Sequence, residues 1–115
     1  IINSLKKKKV EIHARSVFLQ GIIFLKECNI NKLFKNIEKK KIISFFRKFP
    51  NKNMRILNSF NFIKNQKFID KIIIGITSYE ELKNNIYLFK KKIFYFDYKK
   101  FRIFDEKIIK PYLWK

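Results

Sequence analysis

The sequence predicts an α/β chain of two parallel strands with a mostly helical remainder. Three observations carry that prediction. Two short apolar runs, VEIHA at 10–14 and KIIIG at 71–75, lie far apart with helical periodicity between them, too far for a hairpin. The order strand, helices, strand, helix is βα connectivity, which sets the strands parallel. Each run is closely followed by one of the chain's only two glycines, Gly21 and Gly75, and glycine at a strand's carboxyl end lets the backbone turn or approach a ligand.

In chain order, SLKKKK at 4–9 reads as a helix end or loop. The first strand spans about Val10 to Ala14 and leads into RSVFLQG. His13 is read as a packed strand residue, and Arg15 as an anion contact or a structural ion pair. Ile30, Leu33, Phe34 and Ile37 recur at helical spacing, and Lys39, Lys40 and Lys41 break the phase. Ile42, Phe45, Phe46 and Phe49 form a second helical set, stopped by Pro50. A third helix runs from Met54 to Lys64 with Ile56, Leu57, Phe60 and Ile63 inward. The run Ile72 to Ile74 reads as a strand buried on both faces. Ser78 and Glu81 then make an S-x-x-E capping box that opens a helix with Leu82, Ile86 and Phe89 as its apolar stripe. The tail from Tyr95 is aromatic and basic, with Pro111 near its end, and its rings are expected to pack on the body while its lysines stay wet.

Composition sets the bounds. Hydrophobic residues are 47% and aromatics 17%, enough for a core and against disorder. Lys plus Arg number 28 against 9 Asp plus Glu, a formal charge of +19. Charge of that size points to nucleic acid or an anionic surface. The excess is mostly Lys, accompanied by much Ile, Asn, Phe and Tyr, and that slant fits an A/T-rich genome that leaves lysines on solvated faces. Nucleic acid is therefore the runner-up partner and not the first. Cys28 has no second cysteine to pair with, and one Cys with one His leaves no zinc set, so no metal is expected. No apolar run reaches the roughly 18 residues of a membrane span; a cytoplasmic protein without membrane contact is expected. Two parallel strands leave open edges and uncovered faces. The 115 residues are accordingly read as one partial domain, half of something or assembled with another chain.

IHARSVFLQGIIF and DKIIIGITSYEELKNNI together resemble the aldo/keto reductase family, whose fold is a TIM barrel. They are similar to its seventh and eighth strands with the loops behind them. The helix MRILNSFNFIKNQ resembles the one between those strands, and FDEKIIKPYLWK resembles the closing segment. The resemblance implies a C-terminal fragment of a (β/α)8 barrel in an NAD(P)H-dependent oxidoreductase that reduces a small carbonyl substrate. It implies that Ser16, Phe18, Gln20 and Gly21 lie along the cofactor diphosphate, and that Gly75, Thr77, Ser78, Glu81 and Asn85 surround the adenosine end. Phosphate sites in such barrels often use the loops after strands seven and eight and a helix N-terminus.

The sequence also departs from the family. Residues Ile76 to Tyr79 offer no basic group for a 2′-phosphate, Glu80 and Glu81 oppose one, and Glu81 stands where the family often has Gln. The choice between NAD and NADP stays open. The family's Tyr proton donor and its Lys, Asp and His partners come from earlier strands, so no catalytic residue is assigned here and the fragment alone is expected to be inactive. Two other readings stand beside this one: a small basic nucleic-acid-binding, ribosome-associated protein, and an interaction protein that joins a partner through its open strand edges.

Overall fold

A computed structural model describes residues 1–114 as a mixed helical chain around a two-stranded parallel sheet, an α/β arrangement. Helix α1 is Ile2–Lys7 and strand β1 is His13–Ala14. Helices α2 (Glu27–Leu33), α3 (Lys39–Lys48) and α4 (Lys52–Lys64) follow. Strand β2 is Lys71–Ile72, then come α5 (Tyr79–Phe89) and α6 (Glu106–Ile109). The strands pair in the register His13 with Lys71 and Ala14 with Ile72. The Ile12 carbonyl accepts from the Asp70 N–H at 2.8 Å, and the Ala14 carbonyl from the Ile73 N–H at 2.8 Å. Asp70 locks the strand entry by accepting from the Ile12 N–H at 2.7 Å and from Lys6 of α1.

Two apolar clusters form the core. One gathers Ile22, Ile30, Phe34, Ile42, Phe46 and Ile108. The other joins Phe18 and Ile23 of the loop after β1 to Ile56 and Phe60 of α4 and Leu88 of α5. Arg55 holds this arrangement together. Its guanidinium donates to the carbonyls of Phe49, Pro50, Ile23 and Leu25, and lies 3.8 Å from the Phe46 ring centroid. One side chain thereby satisfies the end of α3 and the 3₁₀ turn Ile22–Phe24 at once.

The tail packs in part as expected, since Tyr95, Phe104 and Tyr112 are exposed at 90%, 64% and 77%. Phe101 and Phe96 meet Phe45 and Phe49 edge-on at 5.4 and 5.5 Å. The tail's lysines Lys99 and Lys100 stay exposed. Glu38 accepts the backbone N–H groups of Phe104 and Asp105, and Trp114 donates its indole N–H to the Ile108 carbonyl while meeting Phe34 edge-on.

Several expectations are corrected. Helix α2 stops at Leu33, Phe34 is extended, and Ile37 is 77% exposed. The break therefore precedes the triple lysine, which opens α3. The β2 run is buried on one face only: Ile72 and Ile74 pack on the second cluster, whereas Ile73 is 54% exposed. No element among the described residues covers the other face, so strand alternation shows through an all-apolar sequence. His13 is exposed and pairs with Glu11 at 3.0 Å instead of packing. Helix α5 turns Asn85 and Leu88 inward and leaves Ile86 and Phe89 partly exposed, because its contact is with the side of α4 and not with a continuous sheet.

Candidate binding site at the carboxyl ends of the strands

Parallel pairing sends the segments after β1 and β2 out of the sheet at the same end. The segment after β1 is conformationally unusual. Ser16, Leu19, Gln20 and Gly21 all have left-handed backbone, with φ of 59°, 43°, 54° and 82°. For non-glycine residues such a conformation costs about 1–2 kcal/mol each, and strain of this kind concentrates at functional loops. Packing over-determines it. Phe18 is buried with its ring 5.4 Å from Phe24 and 5.5 Å from Phe60, and Ile22 and Ile23 are buried just beyond. The chain must reverse sharply between these anchors. A Cβ on Gly21 would meet nothing nearer than the Phe24 ring at 3.8 Å, so φ and not space demands glycine there.

The segment after β2 is different. Gly75 is exposed, its φ is outside the left-handed region, and a Cβ would meet nothing within 4 Å. Ser78 caps α5 by accepting the Glu81 N–H at 3.1 Å. The reciprocal half of the box is displaced by one residue: Glu81 Oε2 accepts the Thr77 N–H and hydroxyl, each at 2.8 Å. The Thr77 backbone bond and then its hydroxyl hold the Glu81 carboxyl below the usual range, with Lys52 of α4 adding attraction. Two carboxylates in the first turn, Glu80 and Glu81, complement the positive end of the helix.

Helices α4 and α5 run side by side in the same direction. Asn84, midway along α5, donates to Asn53 near the start of α4 at 3.0 Å, and Lys64 donates to the Phe89 carbonyl at 2.6 Å near the ends of both helices. An open cleft of about 460 Å³ lies between the first half of α4 and the last turn of α5, lined by Asn51, Lys52, Asn53, Met54, Leu57 and Leu88. Asn51 caps α4 by accepting the Met54 N–H at 2.8 Å. Lys52 reaches over the Phe24 ring at 5.0 Å, joining the cleft to the loop after β1. Nearly two turns into α5 sits Asn85, 2% exposed, with neither its Oδ1 nor its Nδ2 bonded. Buried amides of this kind are nearly always paired.

The nine residues singled out from sequence divide clearly. Ser16, Gln20 and Gly21 share the strained loop, whereas Phe18 puts its ring into the core and leaves only backbone for the loop surface. Thr77, Ser78 and Glu81 form one hydrogen-bonded cap, with Gly75 just before it and Asn85 buried behind it. None of the nine lines the cleft. The sequence reading missed Lys52 and Arg55, as well as the buried pair Asn58 and Asn61. Tyr98 donates to Asn58 at 2.7 Å and accepts from Asn61 at 2.9 Å. Asparagines three apart on the buried stripe of α4 were the available signal for that network. Among the described residues no group of three His, Cys, Asp or Glu could hold a metal, and no helix is long and apolar enough to cross a membrane. No protein family, curated protein or solved structure matches the chain.

Proposed function

We propose that this chain is the C-terminal part of an aldo/keto reductase-type (β/α)8 barrel and holds the diphosphate and adenosine end of NAD(P). The observation that carries the reading is the shared exit of the two parallel strands: a left-handed loop after β1 and a capped helix N-terminus after β2 leave the sheet at one end. Ligands of parallel α/β folds bind at that end, and helix N-termini favour phosphate. The unpaired Asn85 amide is a second support, since a carboxamide carries both the donor and the acceptor that a nucleobase edge requires. Openness is a third. The radius of gyration is 15.1 Å, above the about 13 Å of a compact domain of this length, and Ile73 presents an apolar sheet face to solvent.

On this reading the nicotinamide, when bound, supplies hydride to a carbonyl. This chain's residues bind and orient. Ser16, Gln20 and Gly21 offer backbone and side-chain groups beside the diphosphate, Thr77 and Ser78 the α5 N-terminus, and Asn85 the base contact. The proton donor comes from another part of the barrel.

Calorimetric titration with ADP, 2′,5′-ADP and inorganic diphosphate tests the reading. Saturable one-to-one binding of both adenosine ligands is expected, tighter than inorganic diphosphate and weakened by Asn85→Leu. Equal binding of all three, unchanged by Asn85→Leu, would show only the response of a polycation to polyanions and would refute it.

A further inference from the structure

We propose that the carboxyl end of the α4–α5 pair, together with the irregular segment 91–98, is a binding surface for single-stranded nucleic acid. Composition alone does not separate a wet lysine face from a binding face; placement does.

The first observation is a rigidly held aromatic display. Asn61 clamps the Phe94 backbone in both directions: its Oδ1 accepts the Phe94 N–H at 3.0 Å and its Nδ2 donates to the Phe94 carbonyl at 3.0 Å. The Tyr98 hydroxyl is fixed between Asn58 and Asn61. With its neighbours pinned, Tyr95 projects outward at 90% exposure, and Phe62, whose ring lies 5.6 Å from that of Tyr98, is 47% exposed. A ring held on a fixed backbone binds with little ordering cost.

The second observation is unneutralised charge. From Leu82 to Phe96 the sequence contains no Asp or Glu, yet it carries Lys90, Lys91 and Lys92 in succession. Asp97, the next acid, is occupied by the Lys99 N–H at 3.0 Å. Among the described residues, no Lys or Arg between positions 72 and 109 belongs to an ion pair. Lys64 and Lys91 instead lie over the rings of Phe89 and Tyr87, at 5.0 and 4.2 Å.

Lysines interleaved with exposed rings match a strand that offers phosphates and unstacked bases together. An anionic membrane is the weaker fit, because the rings stand on an irregular segment and two helix ends, not along one face of a surface-lying amphipathic helix. The surface lies at the carboxyl ends of α4 and α5, away from the Ser78 cap and the loop after β1, so it stands whether or not the cofactor reading does.

Fluorescence anisotropy with a labelled oligo(U) of about 15 nucleotides tests the proposal. Binding should weaken steeply between about 50 and 200 mM salt. The Lys90→Gln, Lys91→Gln, Lys92→Gln triple variant should lower the log–log salt slope by about 2. Tyr95→Ala should weaken binding about 5- to 150-fold, and Tyr95→Phe should restore it. The control triple Lys7→Gln, Lys8→Gln, Lys9→Gln removes equal charge at the end of α1 and should have a smaller effect. Equal losses from both triples with no effect at Tyr95 would mean diffuse polycation binding and overturn the proposal. So would Tyr95-dependent binding to phosphatidylserine vesicles without oligo(U) binding.

Discussion

Replacing Asn85 by Leu should stabilise the protein, against the usual direction of core substitutions. Asn85 is 2% exposed and both polar atoms of its amide lack partners. A buried unsatisfied polar group costs about 1–3 kcal/mol, and exchanging it for an apolar group of the same shape removes that cost. Leu is nearly isosteric with Asn and is also the better helix former by a few tenths of a kcal/mol. The expected gain is about 1–3 kcal/mol. For a chain of this length the unfolding entropy makes each kcal/mol worth about 4 °C, so Tm should rise by about 4–12 °C. Thermal and urea unfolding followed by far-UV circular dichroism measure it. Asn85→Asp is the opposing control: it buries a carboxyl in the same place and should lower Tm. A fall in Tm of several degrees for Asn85→Leu, with native-like circular dichroism, would refute the reasoning, since the amide would then be satisfied in solution. A gain in stability joined to a loss of ADP affinity is the signature of a group kept for a ligand.

Other perturbations have equally definite outcomes. Gly21→Ala should cost about 1 kcal/mol or more because φ is 82°, whereas Gly75→Ala should change the urea midpoint little, its backbone being unstrained and its surroundings open. Arg55→Lys cannot reproduce a fork that reaches four carbonyls and should lower stability by about 2–3 kcal/mol in the same assay. Tyr98→Phe strips a partner from two buried amides, and about 1–3 kcal/mol should be lost on urea unfolding. Glu11, Glu38, Asp70 and Glu81 are all held below ordinary carboxyl values, Glu11 and Glu38 first by lysines, Asp70 first by Lys6, and Glu81 first by the Thr77 N–H. Their stabilisation is complete above the ordinary carboxyl range and is lost as pH falls through the lowered values, so the urea midpoint should hold from pH 7 to about 5 and drop below about 4.

The α/β order, α3, α4 and the start of α5 were legible because their signals are local. Ile42, Phe45, Phe46 and Phe49 stop at Pro50, and Ser78 caps where the S-x-x-E spacing says it should. The errors arose where a neighbour, not the chain itself, decides burial. Ile73 reads as a core residue by composition, but on a two-stranded sheet with one side covered it faces water. Ile37 continues the α2 period on paper, yet the docking of Asp105 against Asn36 and Glu38 uses that stretch as a connector and ends the helix early. The candidate site was partly legible for the same reason. RSVFLQG marked the loop, but nothing in its letters announces three non-glycine residues in left-handed backbone. Only the burial of Phe18, Ile22 and Ile23 on either side forces them there. Lys52 was invisible because its importance comes from the parallel placement of α4 and α5.

That parallel placement also explains how two ligand-facing regions share one helix pair. Aligned dipoles make the amino end of the pair positive and the carboxyl end negative. At the amino end, Asn51 and Ser78 cap the helices while further N–H groups remain unspent, and Glu80 and Glu81 partly offset the field. At the far end the field favours cations, and Lys64 answers it by donating to the carbonyls of Phe89 and Lys91 at 2.6 and 2.7 Å. Lys90, Lys91 and Lys92 follow at the same end, beside a Tyr that the fold exposes almost completely. A purely dipolar role predicts that the Lys90–Lys92 triple variant loses stability in proportion to charge removed, with Tyr95→Ala silent in every assay. A binding role predicts the reverse pattern, nearly unchanged unfolding and a shared loss of oligonucleotide affinity, so unfolding and anisotropy measured on the same two variants separate the causes.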